Sequence, residues 1–193
     1  MSLPLEGVRV LDLSRVLAGP WCAQHLADLG AEVVKVERPG AGDDTRAWGP
    51  PFVEGEEGRV SAYWAACNRG KRVVREDLAD EEGARRVRAL ALGADVVVEN
   101  FRPGALRRFG LDAASLRAAR PELVVVSITG FGQGGPWSGR AGYDLLIQAM
   151  GGLMSFTGPA DGPPTKAGVA VADLMAGMYA ASAALAGLVG RAR

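Results

Sequence analysis

An α/β fold is predicted, Rossmann-like and doubly wound, with a mainly parallel open sheet and helices on both faces. Three observations predict it. Short apolar runs rich in β-branched residues recur along the chain: GVRVLDL, AEVVKVE, KRVVRED, DVVVEN and ELVVVSIT. Helical segments fall between several of them, the alternation of a parallel sheet. The 193 residues, 48% hydrophobic and 23% charged, suffice for one real core and no more than slightly beyond it.

Taken in order, residues 7–13 read as a buried strand, and SRVLAGP as a loop with Pro20 suited to a first helical turn. WCAQHLADLG is a helix closed by Gly30, and AEVVKVE a strand ending at Glu37. Residues 38–59, rich in Gly, Pro and charge, read as a long loop. SAYWAAC is a short helix and KRVVRED a third strand. DEEGARRVRALALGA is an acid-started amphipathic helix that leads into DVVVEN. RPGALRRFG and DAASLRAAR read as two short helices with exposed arginines. ELVVVSIT is almost wholly apolar, which predicts a central strand. A glycine-rich loop (GFGQGGPWSG), a helix within residues 141–158 and a Pro/Gly turn then lead to GVAVA, a short β-like run.

Composition narrows the function. Lys plus Arg and Asp plus Glu balance at 22 each, which leaves no electrostatic footprint for nucleic acid. Two distant cysteines, Cys22 and Cys67, lack metal-ligand spacing and fit reduced thiols in a cytoplasmic protein. No signal peptide is visible in MSLPLEGVRVLDLS. Residues 174–190 are uncharged and followed by Arg191 and Arg193, near the lower limit for a membrane span. They are mostly Ala and Gly, however, which predicts close packing on protein rather than lipid.

Asp173 is the most informative residue. No other charge lies between Lys166 and Arg191, and an acid in apolar surroundings must be paired, hydrogen-bonded or useful. It can cap a helix beginning at Leu174, or it can do chemistry. GFGQGG (residues 130–135) imitates a dinucleotide fingerprint but is followed by Pro136 and Trp137 instead of a helix, and the opening unit has Glu37 but a single glycine; neither supports a nicotinamide site. Arg15, Arg38, Arg102, Arg107 and Arg108 follow strands and are expected at the carboxyl edge of the sheet, where guanidinium groups could meet phosphates or solvent. His25 stands alone mid-helix, so no metal site is expected.

The strings GVRVLDLSRVLAGPWCAQHLADLGAEVVKVERPGAGDDTR, NRGKR, VVVENFRPGALRRFGL, SITGFGQGGPWSGRAGYDLLIQAMGGLMSFTG and GVAVADLMAGMYA resemble, in this order, the N-terminal half of the class III CoA-transferases. This is the CaiB/BaiF family, which includes formyl-CoA and carnitine CoA-transferases and the α-methylacyl-CoA racemases. The resemblance implies that Asp173 is the catalytic aspartate and that Val16 and Ala18 lie along CoA. It places Arg38 near the adenosine phosphate end and makes Asn100, Phe101, Arg102 and Arg108 further CoA contacts. Tyr143 falls at a CoA-site tyrosine of the transferases, where the racemases carry a histidine. A phenol with pKa near 10 is a poor second base, so transfer is favoured over racemisation.

The implied reaction moves CoA from an acyl-CoA to a small carboxylic acid through an aspartyl anhydride and thioester, with coenzyme A as substrate and no tightly bound cofactor. Backbone N–H groups at the start of the helix after Asp173 are expected to steady the oxyanions. The resemblance further implies that residues 1–193 are the N-terminal CoA-binding part of a large domain in a homodimer, with the family's small domain and C-terminal return absent. A racemase, or a CoA-binding domain without activity of its own, remain the alternatives.

Overall fold

The computed structural model describes residues 2–55 and 58–191. Its main sheet is built from β1 (Arg9–Asp12), β2 (Glu32–Glu37), β5 (Arg72–Arg75), β6 (Val96–Glu99) and β7 (Val124–Ser127), in the order β5-β2-β1-β6-β7. Every pairing is parallel. Strand order therefore runs outward in both directions from β1, the doubly wound arrangement the sequence predicts. The crevice of such a sheet opens at its carboxyl edge where the order reverses, between β1 and β6.

The pleat assigns alternate residues to two cores. Val10, Val33, Val96 and Val98 face α1 (Ala18–Asp28) and α6 (Val171–Arg191), packing with Cys22, Ala23, Leu26, Ala180, Ala181 and Ala184. Leu11, Val36 and Val97 face the other way, toward Val87 and Ala91 of α3 (Glu81–Gly93) and Leu116 of α4 (Ala113–Ala119). Asp80 caps α3 by accepting from the Gly83 N–H, and Pro20 lies in the first turn of α1 as expected.

Several expectations are corrected. The stretch at 38–59 is more than a loop: it holds a 3-10 turn (Asp44–Ala47) and the hairpin β3 (Phe52–Gly55) and β4 (Gly58–Ser61), whose residues 56–57 lie outside the described set. Ser61 ends that hairpin and caps α2 (Ala62–Asn68), accepting from Tyr63 N at 3.0 Å. RPGALRRFG forms turns and one 3-10 turn (Arg107–Phe109), because Gly104 at φ 82° interrupts any helix there. Among the described residues β7 lies at the edge of the sheet, not at its centre. Its apolar residues are explained by cover from above and below: Val124 and Val126 join the core shared with α6, and Val125 packs into the opposite core.

The GVAVA run is not a strand; α6 already begins at Val171, inside it. Small residues let α6 approach closely, as expected. A Cβ at Gly177 would lie 2.6 Å from the Ala18 carbonyl oxygen and 3.0 Å from the Trp21 ring. By length and composition alone α6 would also suit a membrane span, yet here its small-residue face lies on α1 and β7. Arg193 lies outside the described residues. The remaining helix, α5 (Asp144–Met150), crosses in front of the start of α6.

Candidate active site

A cavity of about 280 Å³ opens at the predicted edge. Three strand-end loops supply one wall: Arg15, Val16, Leu17 and Ala18 after β1, Asn100 to Pro103 after β6, and Ile128, Thr129 and Gly130 after β7. Arg140, Ala141, Gly142, Tyr143 and Ile147 supply another, and Ala172, Asp173 and Ala176 of α6 close it. Gly130 and Gly142 touch backbone to backbone, since a Cβ on either would lie within 2.4 Å of the other's Cα. Thus the glycine-rich stretch serves to bring Arg140 and Tyr143 to this cavity.

The wall after β1 is held by side chains that sequence reasoning missed. Lys35 and Asp12 are paired across the register of β2 and β1, and both are wholly buried. Lys35 Nζ lies 3.2 Å from Asp43 and donates to the Ser14 carbonyl at 2.8 Å. Lys71 Nζ reaches Asp12 at 2.9 Å, the Pro20 carbonyl at 2.8 Å and Asn68 at 3.0 Å. Burial by itself would raise the Asp12 pKa; Lys71, Lys35 and the Ser14 hydrogen bond together outweigh it and hold the carboxylate below its ordinary value. The traces of this network in the sequence are a Lys inside EVVKVE and the NRGKR turn that carries Asn68 and Lys71.

Above the network, Val16 adopts φ 71°, left-handed backbone that β-branched residues avoid. It is held there from both sides. Its N–H points at the Asp43 carboxylate (3.3 and 3.4 Å), while Asn100 accepts from Arg15 N at 2.9 Å and donates to Arg15 O at 2.7 Å. The Asn100 amide is therefore engaged with the Arg15 backbone on both its oxygen and its nitrogen.

Asp173 lies on the other wall, half-buried and in the first turn of α6. It is not the helix cap. That task falls to Asp144 Oδ1, which accepts from Ala172 N at 2.8 Å and Asp173 N at 3.3 Å. The Val171 and Leu174 N–H groups bond to Val169 O and Ala170 O, so the expected oxyanion donors at this helix start are already taken. Among the described residues no cation pairs with Asp173. Burial, with the Asp144 charge adding to it, pushes its pKa up to about 6.

Of the residues singled out from sequence, Val16, Ala18, Asn100, Phe101, Arg102, Tyr143 and Asp173 meet at this cavity. Arg38 does not; it lines a smaller cavity of about 170 Å³, where it pairs with Asp44 and donates to the Gly42 carbonyl at 3.0 Å. Arg15 and Phe101 border both cavities, with the guanidinium 5.3 Å above the ring. Arg107 and Arg108 line neither cavity; Arg108 stacks on its neighbour Phe109 instead, 4.5 Å from the ring centre. His25 packs edge-on against Trp21 within α1. Among the described residues no three His, Cys, Asp or Glu side chains converge as metal ligands.

Comparison with known proteins gives one consistent result. The family model "CoA-transferase family III" matches residues 5–193. Succinate–glutarate CoA-transferase of Agrobacterium fabrum is 56% identical over 96% of this chain and 47% of its own length. Succinyl-CoA:glutarate CoA-transferase of Mus musculus is 53% identical over 98% of this chain and 43% of its own. A crystal structure of a CaiB/BaiF family protein from Brucella suis superposes with TM-score 0.96 at 53% identity, covering 100% of this chain and 51% of that one. The chain thus spans about half the length of the curated relatives it matches. It belongs to CoA-transferase family III.

Proposed function

We propose that this chain provides the nucleophile and CoA-facing wall of an acyl-CoA:carboxylate CoA-transferase. The observation that carries this reading is Asp173: a half-buried carboxylate with no cation partner among the described residues, lining a cavity at the carboxyl edge of the sheet. Family membership supports it, and the relatives named for succinate, succinyl-CoA and glutarate support small dicarboxylic acids as the donor and acceptor class.

In the proposed reaction the Asp173 carboxylate attacks the thioester carbonyl. A carbon–oxygen bond forms, the carbon–sulfur bond breaks, and CoA thiolate leaves a mixed aspartyl anhydride behind. The thiolate then attacks the aspartyl carbonyl and expels the donor carboxylate, which leaves an aspartyl-CoA thioester. The acceptor carboxylate attacks that thioester, forming a second anhydride and releasing thiolate. Thiolate finally attacks the acceptor's acyl carbon, giving the new acyl-CoA and returning Asp173 as carboxylate. No net proton is consumed, so the residue only has to be ionised, a condition met above about pH 6.

Because the first N–H groups of α6 are occupied, positive charge for the oxyanions and for the phosphates of CoA is assigned to Arg15, Arg102 and Arg140, which line the same cavity. Arg38, in the adjoining cavity, suits the far end of an extended ligand that passes the Arg15–Phe101 pair. Tyr143, 71% exposed at the cavity rim, favours transfer over racemisation, since exchange at an α-carbon needs a second base near neutrality. The same reading includes a homodimer, supported by the exposed apolar side chains Leu145, Leu146 and Met150 of α5 and Met175, Met178 and Tyr179 of α6.

Incubation with succinyl-CoA followed by hydroxylamine tests the nucleophile. An aspartyl hydroxamate on the peptide that carries Asp173, absent from Asp173→Asn, is the expected outcome. Recovery of that peptide unmodified under the same conditions would sink the reading.

A further inference from the structure

The start of α6 is held by a carboxylate from another helix. Asp144, the first residue of α5, takes the Ala172 and Asp173 N–H groups on Oδ1, and its Oδ2 accepts from Gln148 Nε2 at 2.6 Å one turn later. Gln148 is buried and extends the grip: its Oε1 accepts from Ala167 N at 2.9 Å, and its Nε2 reaches Val169 O at 3.3 Å. Two side chains of α5 thereby fix the whole approach to α6. The far end of the helix is fixed as well, by Arg191 to Asp95 at 3.0 Å.

We propose that Asp144 is the positioning residue for Asp173, capping α6 in its place and setting a negative charge beside it, so that the Asp173 carboxylate is left to face the cavity. The alternative acceptor for those N–H groups is Asp173 itself, the acid in the first turn. With Asp144 absent, Asp173 would serve its own helix, as acids near helix starts do. Like charge has a second effect. After burial, Asp144 is the influence that raises the Asp173 pKa. The other ionisable groups around Asp173 are Arg15, Arg102, Arg140 and Tyr143, which border the cavity, and Tyr63 on α2. Tyr63 is itself pushed up to about 12, first by burial and then by charges that include Cys67, Asp173 and Asp144. Asp144 is thus the group among these that opposes ionisation of Asp173 by charge.

The proposal deepens the nucleophile reading and rests on it for its catalytic meaning, but its test needs no turnover. Two variants, Asp144→Asn and Asp144→Ala, separate capping from charge. Carbon-13 NMR follows the Asp173 carboxyl, and amide hydrogen exchange follows Ala172 and Asp173. In Asp144→Asn, Oδ1 can still accept from both amides, although Nδ2 replaces the oxygen that accepts from Gln148 Nε2. The two amides therefore stay better protected than in Asp144→Ala, while the Asp173 midpoint falls below about 6 by the Asp144 contribution, burial still holding it above the ordinary value. In Asp144→Ala the two amides exchange about tenfold faster, the equivalent of a lost cap. An unmoved midpoint in Asp144→Asn, or undiminished protection in Asp144→Ala, overturns the proposal. Should Asp144→Ala fail to fold, the midpoint in Asp144→Asn still decides. A shifted midpoint without acyl trapping at Asp173 would leave this inference standing and remove the nucleophile reading.

Discussion

Asp12 and Asp173 are both withdrawn from water, one at the end of β1 and one at the start of α6, and burial has opposite outcomes for them. Asp12 is fully buried, yet it stays ionised below the ordinary pKa because Lys71, Lys35 and Ser14 overcome the burial penalty. Asp173 is only half-buried, yet it holds its proton to about pH 6, because burial raises its pKa and its charged neighbour, another acid, adds to that rise instead of opposing it. Burial raises the pKa of both carboxylates; their partners decide whether that rise is overcome or kept. The Asp12 side of the cavity is a fixed wall, and the Asp173 side holds a carboxylate with no cation partner among the described residues.

The largest effect is expected on the fixed wall. Lys71→Met leaves buried Asp12 with Lys35, 3.9 Å away, as its remaining cation and Ser14 as its hydrogen-bond donor. Breaking one side of a buried ion pair costs about 3–5 kcal/mol, read as a lower urea midpoint. A loss below about 1 kcal/mol would mean that Asp12 does not depend on its lysines, since stripping a buried charge of its partner cannot be so mild. Next in size, Gly177→Ala drives a methyl group against the Ala18 carbonyl and should cost about 1–3 kcal/mol by overpacking. It also sharpens the comparison, because the clash lies between α6 and the first turn of α1, where Lys71 makes just one of its contacts, to the Pro20 carbonyl: the Asp173 titration should move further than the Asp12 titration.

Sequence reading located Asp173 because a single charge in an apolar stretch is visible without a structure. The parallel sheet was legible for a related reason, since β-branched runs such as VVVE and VVVS, spaced by helical segments, read as covered strands. The edge position of β7 was not, because apolar character reports cover, and α6 covers an edge as well as a central strand would be covered. Lys35, Lys71 and Asp12 were hidden in the opposite way: charges in sequence read as surface, and only the register of β1 with β2 pairs Asp12 with Lys35, while Lys71 reaches Asp12 from 59 positions away. Asp144 stayed out of view because its partners, Ala172 and Asp173, are 28 and 29 positions away. Asn100 was singled out as a ligand contact and does line the cavity; its grip on the Arg15 backbone, 85 positions distant, was not legible in the sequence.

The smaller effects concern these two residues. Asp173 ionises less readily folded than unfolded, so stability falls as pH rises from the ordinary value of 3.8 through about 6, then stays constant. Asp173→Asn removes that cost. The shift corresponds to roughly 3 kcal/mol, which solvent screening of a half-buried group reduces to about 1–2 kcal/mol. The variant should therefore melt higher than the parent at pH 8 and no higher below pH 4; a variant that melts lower at pH 8 would show that Asp173 has a stabilising partner. Asn100→Ala should cost about 1 kcal/mol for its two hydrogen bonds. It should also release the Arg15 and Val16 amides to faster hydrogen exchange, while amides across β2 are unchanged.

The contrast between the two carboxylates is tested most directly by following both in one carbon-13 NMR titration of the unaltered chain. Asp173 should lose its proton near pH 6 while Asp12 remains ionised below the ordinary aspartate value. Midpoints for both in the ordinary range near 3.8, or an Asp12 that titrates above Asp173, would contradict the account.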